Sequence, residues 1–95
     1  MDTLQVRAHI FVSGKVQGVF FRAKTRGKAL ELGLTGWVKN LSDGRVEAVF
    51  EGQTPQVEQI LEWAKSGPPG AKIEALEPIF EAYKAEFSDF EVKYE

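Results

Sequence analysis

Apolar and polar residues change period twice within the first third of the chain. Val6, Ala8, Ile10 and Val12 alternate with Arg7, His9, Phe11 and Ser13, the period of two expected of a strand with one buried face. From Phe21 onward, Phe21, Thr25, Ala29 and Leu32 fall on one stripe at helical spacing, and Gly33 stands where such a helix would be capped. Alternation returns over residues 34 to 41 and 45 to 52, joined by Ser42-Asp43-Gly44, in which Asp-Gly is a strong hairpin signal. Leu34, Gly36, Val38 and Asn40 share one face of the first segment, and Val46, Ala48 and Phe50 share one face of the second. The opposite faces are mixed, which suits a sheet covered on one side only.

Thr54-Pro55 reads as an N-cap followed by proline at the first helical position. Val57, Ile60, Leu61 and Ala64 then form a second amphipathic stripe, stopped by Ser66-Gly67-Pro68-Pro69-Gly70. A strand pattern covers residues 72 to 80, with Pro78 marking an edge or a bulge. Residues 83 to 88 read as loop, and Phe90, Val92 and Tyr94 alternate as a short last strand. The order predicts an α+β fold, a ferredoxin-like βαββαβ sandwich with both helices on one face of a mostly antiparallel sheet and a short extra C-terminal strand.

Ninety-five residues supply one core, so residues 1–95 are expected to form a single domain. A hydrophobic content of 43% and a charged content of 27% are ordinary for a soluble globular chain. The absence of cysteine excludes disulfide and thiolate chemistry, and a single histidine, His9, argues against a metal site. No cofactor is implied. No apolar run reaches membrane-spanning length and the first residues do not read as a leader, so a cytoplasmic protein is expected and the sequon Asn40-Leu41-Ser42 is read as coincidence. The runs 46 to 50 and Ile79-Phe80 offer strand edges, but a monomer is expected over a dimer. Gly27, inside the first helix, costs about 1 kcal/mol relative to alanine and has no evident reason.

The two changes of period meet in Gly14-Lys15-Val16-Gln17-Gly18-Val19-Phe20-Phe21-Arg22. Glycines at both ends let successive backbone N–H groups turn toward one point, and the start of a helix adds more donors and a positive dipole end. Arg22, in the first helical turn, could present a planar fork to a phosphate held there. The spacing fits neither a Walker loop nor a dinucleotide fingerprint. From the loop alone, an anion site and a plain tight connection with a solvated arginine remain equal alternatives.

Charge adds to the first alternative. The net charge of −2 divides into +5 over residues 1–45 and −7 over residues 46–95, and no acidic residue lies between Asp2 and Glu31. The loop and its helix therefore sit in a field that attracts a small anion. Lys24, Arg26 and Lys28 are read as the solvated face of that helix.

Two stretches carry a family resemblance. Gly14-Lys15-Val16-Gln17-Gly18-Val19-Phe20-Phe21-Arg22 is similar to the first signature of the acylphosphatases, and Gly36-Trp37-Val38-Lys39-Asn40 followed by Asp43-Gly44-Arg45-Val46 and Glu51-Gly52 is similar to the second. The similarity extends to Gly67-Pro68-Pro69 and to the ending Phe87-Ser88-Asp89-Phe90. The resemblance implies metal-independent hydrolysis of the carboxyl–phosphate anhydride of a small-molecule acyl phosphate. By position it assigns the phosphoryl group to Arg22 and the backbone N–H groups of Lys15, Val16, Gln17, Gly18 and Val19, and the attacking water to Asn40.

Two other readings accompany it. Trp37 and Phe11 are expected on the outer sheet face with His9, as in nucleic-acid-binding modules of this fold that stack bases on sheet aromatics. The acidic balance and the lack of a basic aromatic strand motif argue against a nucleic-acid partner. The other is a non-catalytic acylphosphatase-like domain of the sort fused to carbamoyl-transfer maturation proteins.

Overall fold

A computed structural model describes residues 4–94; the sequence reading of Met1 to Thr3 lies outside the described residues. The chain forms β1 (Gln5–Lys15), α1 (Phe21–Glu31), β2 (Thr35–Asn40), β3 (Val46–Gln53), α2 (Thr54–Ser66), β4 (Lys72–Ala82) and β5 (Phe90–Lys93). The sheet order is β4-β1-β3-β2-β5. β1 runs antiparallel to β3 and β4, β2 antiparallel to β3, and β5 parallel to β2. The helices pack on one face, α1 against β2 and β5 and α2 against β1, β3 and β4. This is the expected ferredoxin-like α+β sandwich with its additional C-terminal strand.

The period-two faces explain the packing. Ala8, Ile10 and Val12 of β1, Val38 of β2, and Val46, Ala48 and Phe50 of β3 point to the helices and meet Phe21, Ala29, Val57, Ile60, Leu61 and Ala64 in one core. Burial of each large side chain contributes roughly 1.5–3 kcal/mol. Gly36 makes room for the largest pair. It is the register partner of both Phe50 and Phe90, whose rings stack with centroids 5.5 Å apart. Its φ of +140° and a Cβ position only 1.8 Å from the Val49 carbonyl oxygen exclude any side chain there.

The helix ends follow from local chemistry, with one difference. Gly33 closes α1, its N–H donating to Leu30 O at 3.1 Å while that of Leu34 donates to Ala29 O at 2.9 Å. Thr54 does not cap α2. It is the first helical residue, after an extended Gln53, and its hydroxyl and N–H both donate to Leu4 O at 2.9 Å, just ahead of β1. Gly27 has no atom within 4 Å of where a Cβ would stand, so nothing in the packing accounts for it.

Two expectations about the sheet are corrected. Residues 46 to 50 lie in the central strand β3, not on an edge; the exposed edge apolar residues are Ile79 and Phe80 of β4, where Pro78 is tolerated opposite Ile10. The outer face is also not bare. β4 and β5 lie at opposite edges, so the segment between them crosses the sheet, and Glu51 is buried beneath it. The Glu51 carboxylate accepts the backbone N–H groups of Lys84 at 2.8 Å and Glu86 at 3.0 Å, and lies 3.5 Å from Arg7 Nη1. Arg7 also pairs with Glu86, and its guanidinium lies 5.2 Å from the Phe87 ring centroid. The sequence pattern marks Glu51 as outward-facing but does not mark the strap that covers it. Among the described residues no helix is long and apolar enough to cross a membrane.

Removing Glu51 leaves the Lys84 and Glu86 amides without their acceptor in a buried place and takes one of three carboxylates from Arg7, which keeps Glu81 and Glu86. Glu51→Ala is expected to lower unfolding free energy by about 3 kcal/mol, measured by urea denaturation, and to speed hydrogen exchange at the Lys84 and Glu86 amides ahead of the sheet.

Candidate active site

The β1–α1 connection is shaped by backbone conformations that few residues accept. β1 ends at Lys15, and its register with β4 shifts between Ser13 and Gly14. Gly14 has a φ of +121°, and a Cβ there would meet the Lys72 carbonyl oxygen at 2.1 Å, so only glycine lets β4 pass. Gly18, with φ +76°, and Phe20, with φ 59° and ψ 26°, then turn the chain into α1 through the left-handed region. The consequence is a run of free donors. Among the described residues, no backbone hydrogen bond is donated by Val16 through Ala23, and Lys24 N–H is the first to find a helical carbonyl, that of Phe20, at 2.9 Å. No acidic side chain occupies the first turn of α1.

The sheet brings Asn40 to this loop. Val46 of β3 is the register partner of Val12 on one side and of Asn40 on the other. Val12 and Asn40 are therefore separated by two strand spacings, about 9.5 Å, and both lie on the face that bears the helices. Gln17 closes the distance. Its side-chain Nε2 donates to Leu41 O at 2.8 Å and to Arg45 O at 2.9 Å, tying the loop to the β2–β3 hairpin. The hairpin is braced in turn by Asp43, which accepts Arg45 N–H at 3.1 Å and Arg45 Nε at 2.9 Å. These bonds, the backbone one foremost, hold the Asp43 carboxyl below the usual carboxylate range.

A pocket of about 290 Å³ lies between the loop, the start of α1 and the ends of β2 and β5. Arg22, Asn40, Val16, Gly18, Phe20 and Tyr94 are among its lining residues. Asn40 Oδ1 is buried there without a hydrogen-bond partner. Arg22 Nη1 lies 3.4 Å from Lys93 O, and its guanidinium sits 4.7 Å from the Tyr94 ring centroid. Of the residues singled out in the sequence, Arg22, Asn40, Val16 and Gly18 thus converge on one pocket. Lys15, at the end of β1 opposite Lys72, and Gln17 and Val19 lie outside its lining.

Sequence reasoning missed three contributions. The Gln17 side chain is a tether in addition to any role of its backbone. Arg26, read as solvated, donates Nε to Phe90 O at 3.0 Å and fastens α1 to β5. Tyr94 and the Lys93 carbonyl flank Arg22, which no local pattern signals because it depends on β5 pairing with β2. On the outer face, His9 stacks on Phe11 with ring centroids 4.9 Å apart and bonds Glu47 through Nε2. Trp37 is approached by Lys93 at 4.6 Å and Phe11 by Arg45 at 5.0 Å, so both rings already carry cations of the protein itself. Among the described residues, no three histidine, aspartate or glutamate side chains gather into a metal site.

Comparison with known proteins supplies the family. The sequence model of the Acylphosphatase family matches residues 8–92. An acylphosphatase of Syntrophus aciditrophicus (strain SB) is 52% identical over 89 residues, covering 94% of this chain and 93% of that protein. The structure of an acylphosphatase from Coxiella burnetii superposes with a TM-score of 0.90 at 46% identity, covering 95% of this chain and 94% of that one. The crystal structure of acylphosphatase from Bacillus subtilis also gives a TM-score of 0.90, at 34% identity and covering 94% and 99% of the two chains. With the family model matched over residues 8–92 and relatives about half identical over nearly the whole length, the chain belongs to the acylphosphatase family.

Proposed function

We propose that the protein hydrolyses acyl phosphates to a carboxylate and inorganic phosphate without a metal ion, in the pocket between the β1–α1 loop and the end of β2. The single observation that carries this reading is that Asn40, whose buried Oδ1 has no hydrogen-bond partner, lines the same pocket as Arg22 and a run of unbonded backbone N–H groups. Such an acceptor suits a water molecule that must be oriented, and the donors suit a phosphoryl group that must be neutralised.

In this reading the phosphoryl oxygens accept hydrogen bonds from the amides of Val16 to Val19, with Lys15 at the edge of the nest, and from Arg22. Asn40 Oδ1 accepts a hydrogen bond from the water and aims its oxygen at phosphorus. The P–O bond to the acyl group breaks as the bond to water forms, and the carboxylate departs with the electron pair. A carboxylate whose conjugate acid has a pKa of about 4 needs no general acid. The proton of the attacking water passes to a phosphoryl oxygen, since no titratable side chain other than Arg22 lines the pocket apart from the Tyr94 phenol stacked against it. The reaction then rests on positioning and charge stabilisation, as phosphoryl transfer generally does.

The deciding experiment is hydrolysis of benzoyl phosphate in excess chelator, with a phosphate monoester as control. Turnover of the acyl phosphate alone is expected; dependence on added metal, or equal use of the monoester, would refute the reading. Arg22→Ala is expected to lose both turnover, by at least about a thousandfold, and inhibition by inorganic phosphate. Asn40→Ala should lose about a hundredfold or more in kcat while phosphate still inhibits within a few-fold of its original constant. Gln17→Ala removes the loop tether, so kcat/KM should fall by about a hundredfold with a stability loss of about 2 kcal/mol, read by steady-state kinetics and thermal unfolding of the same preparation.

A further inference from the structure

Phe20 and Phe21 are adjacent, yet they do opposite things. Phe21 is 3% exposed and belongs to the core, whereas Phe20 is 78% exposed and lines the pocket that holds Arg22 and Asn40. Phe20 is also held in the left-handed region, with φ 59° and ψ 26°, a conformation that glycine adopts freely and that a bulky side chain resists. Among the described residues it makes no ring stacking or cation–π contact, unlike Tyr94, the other exposed ring of the pocket, which lies over Arg22. The fold thus keeps a strained, solvent-facing aromatic where glycine would serve the backbone better, and strain of this kind marks functional positions.

The chemistry of the pocket says what such a ring would meet. In phosphoryl transfer the attacking and leaving oxygens lie roughly in line through phosphorus. With the water held by buried Asn40, the acyl group points away from the sheet, toward solvent, where Phe20 stands. We infer that Phe20 is the platform for the acyl half of the substrate, and that it favours acyl phosphates whose carbonyl carries a planar or apolar body over those with a single methyl group. This rests on the acyl-phosphate reading of the same pocket. Ring–ring contact and the apolar area covered act on binding of the acyl group and leave the phosphoryl cradle untouched.

The test compares kcat/KM for benzoyl phosphate and acetyl phosphate in the wild type and in Phe20→Ala, Phe20→Gly and Phe20→Tyr, with inorganic phosphate as an inhibitor that has no acyl part. The benzoyl-to-acetyl ratio should fall by about tenfold in the alanine and glycine variants and be kept within about twofold by tyrosine. The inhibition constant for phosphate should be the same in all four proteins, and Phe20→Gly should melt at a higher temperature than the wild type because the left-handed residue is relieved. Equal losses on both substrates, or a weakened phosphate constant, would overturn the platform while leaving hydrolysis intact. A Phe20→Gly variant that melts lower would mean that the ring packs into the fold, and would overturn it as well. A wild type that hydrolyses neither acyl phosphate would overturn the hydrolase reading itself, and the platform with it.

Discussion

The pairing of β1 and β2 with opposite sides of β3 is the constraint on which the rest depends. Because both neighbours run antiparallel to β3, they run parallel to each other, and their C-terminal ends come out at the same end of the sheet, with Val12 and Asn40 on either side of Val46. Flexible connections alone would hold Arg22, the loop amides and Asn40 together only at a large cost in conformational entropy. The hydrogen-bond ladder does it, and the alternation of side chains keeps Asn40 on the face where α1 begins. The hydrophobic face of the sheet and the polar end of the pocket are therefore consequences of one register.

The strap over the outer face follows from the same order. Once β4 occupies one edge and β5 the other, residues 83 to 89 have to cross the sheet. Glu51 is the acceptor that stops this crossing from being loose, and its burial is tolerable because two amides and Arg7 meet it. Beyond the strap, β5 pairs in parallel with β2 and carries Lys93 and Tyr94 up to Arg22. Lys93 and Tyr94 thus reach the pocket through the pairing of β5 with β2, at the end of a path that crosses over Glu51.

The pocket is economical for a physical reason. A substrate that already has a good leaving group does not require an acid to protonate it or a nucleophile to divide the reaction into two steps. Aimed donors, one cation and one acceptor meet the need. Those donors are available because the loop turns through positive φ at Gly18 and Phe20, which withholds its N–H groups from the chain's own carbonyls. The same conformations that cost the fold some stability are what leave the amides free for a phosphoryl group.

Sequence alone carried the elements, their faces and most of the pocket. Period two and period 3.6 are local properties, so the alternation at Val6 to Val12 and the stripe of Phe21, Thr25 and Ala29 are legible without any tertiary information. Arg22 was legible from the β1–α1 loop itself, whereas Asn40 was named only through the resemblance of the second motif to the acylphosphatase signature. What depended on distant partners was not legible. Thr54 looked like a cap until Leu4, just ahead of β1, supplied a carbonyl, and residues 46 to 50 looked like an edge until both neighbours were present. Glu51 looked solvated until the strap lay over it. Gln17 was marked for its backbone, while its side chain turned out to bridge Leu41 and Arg45, 24 and 28 residues away in sequence. Local conformation is decided by each residue and its neighbours; burial, edge status and tethering are decided by segments far along the chain, and only the folded register says which segments those are.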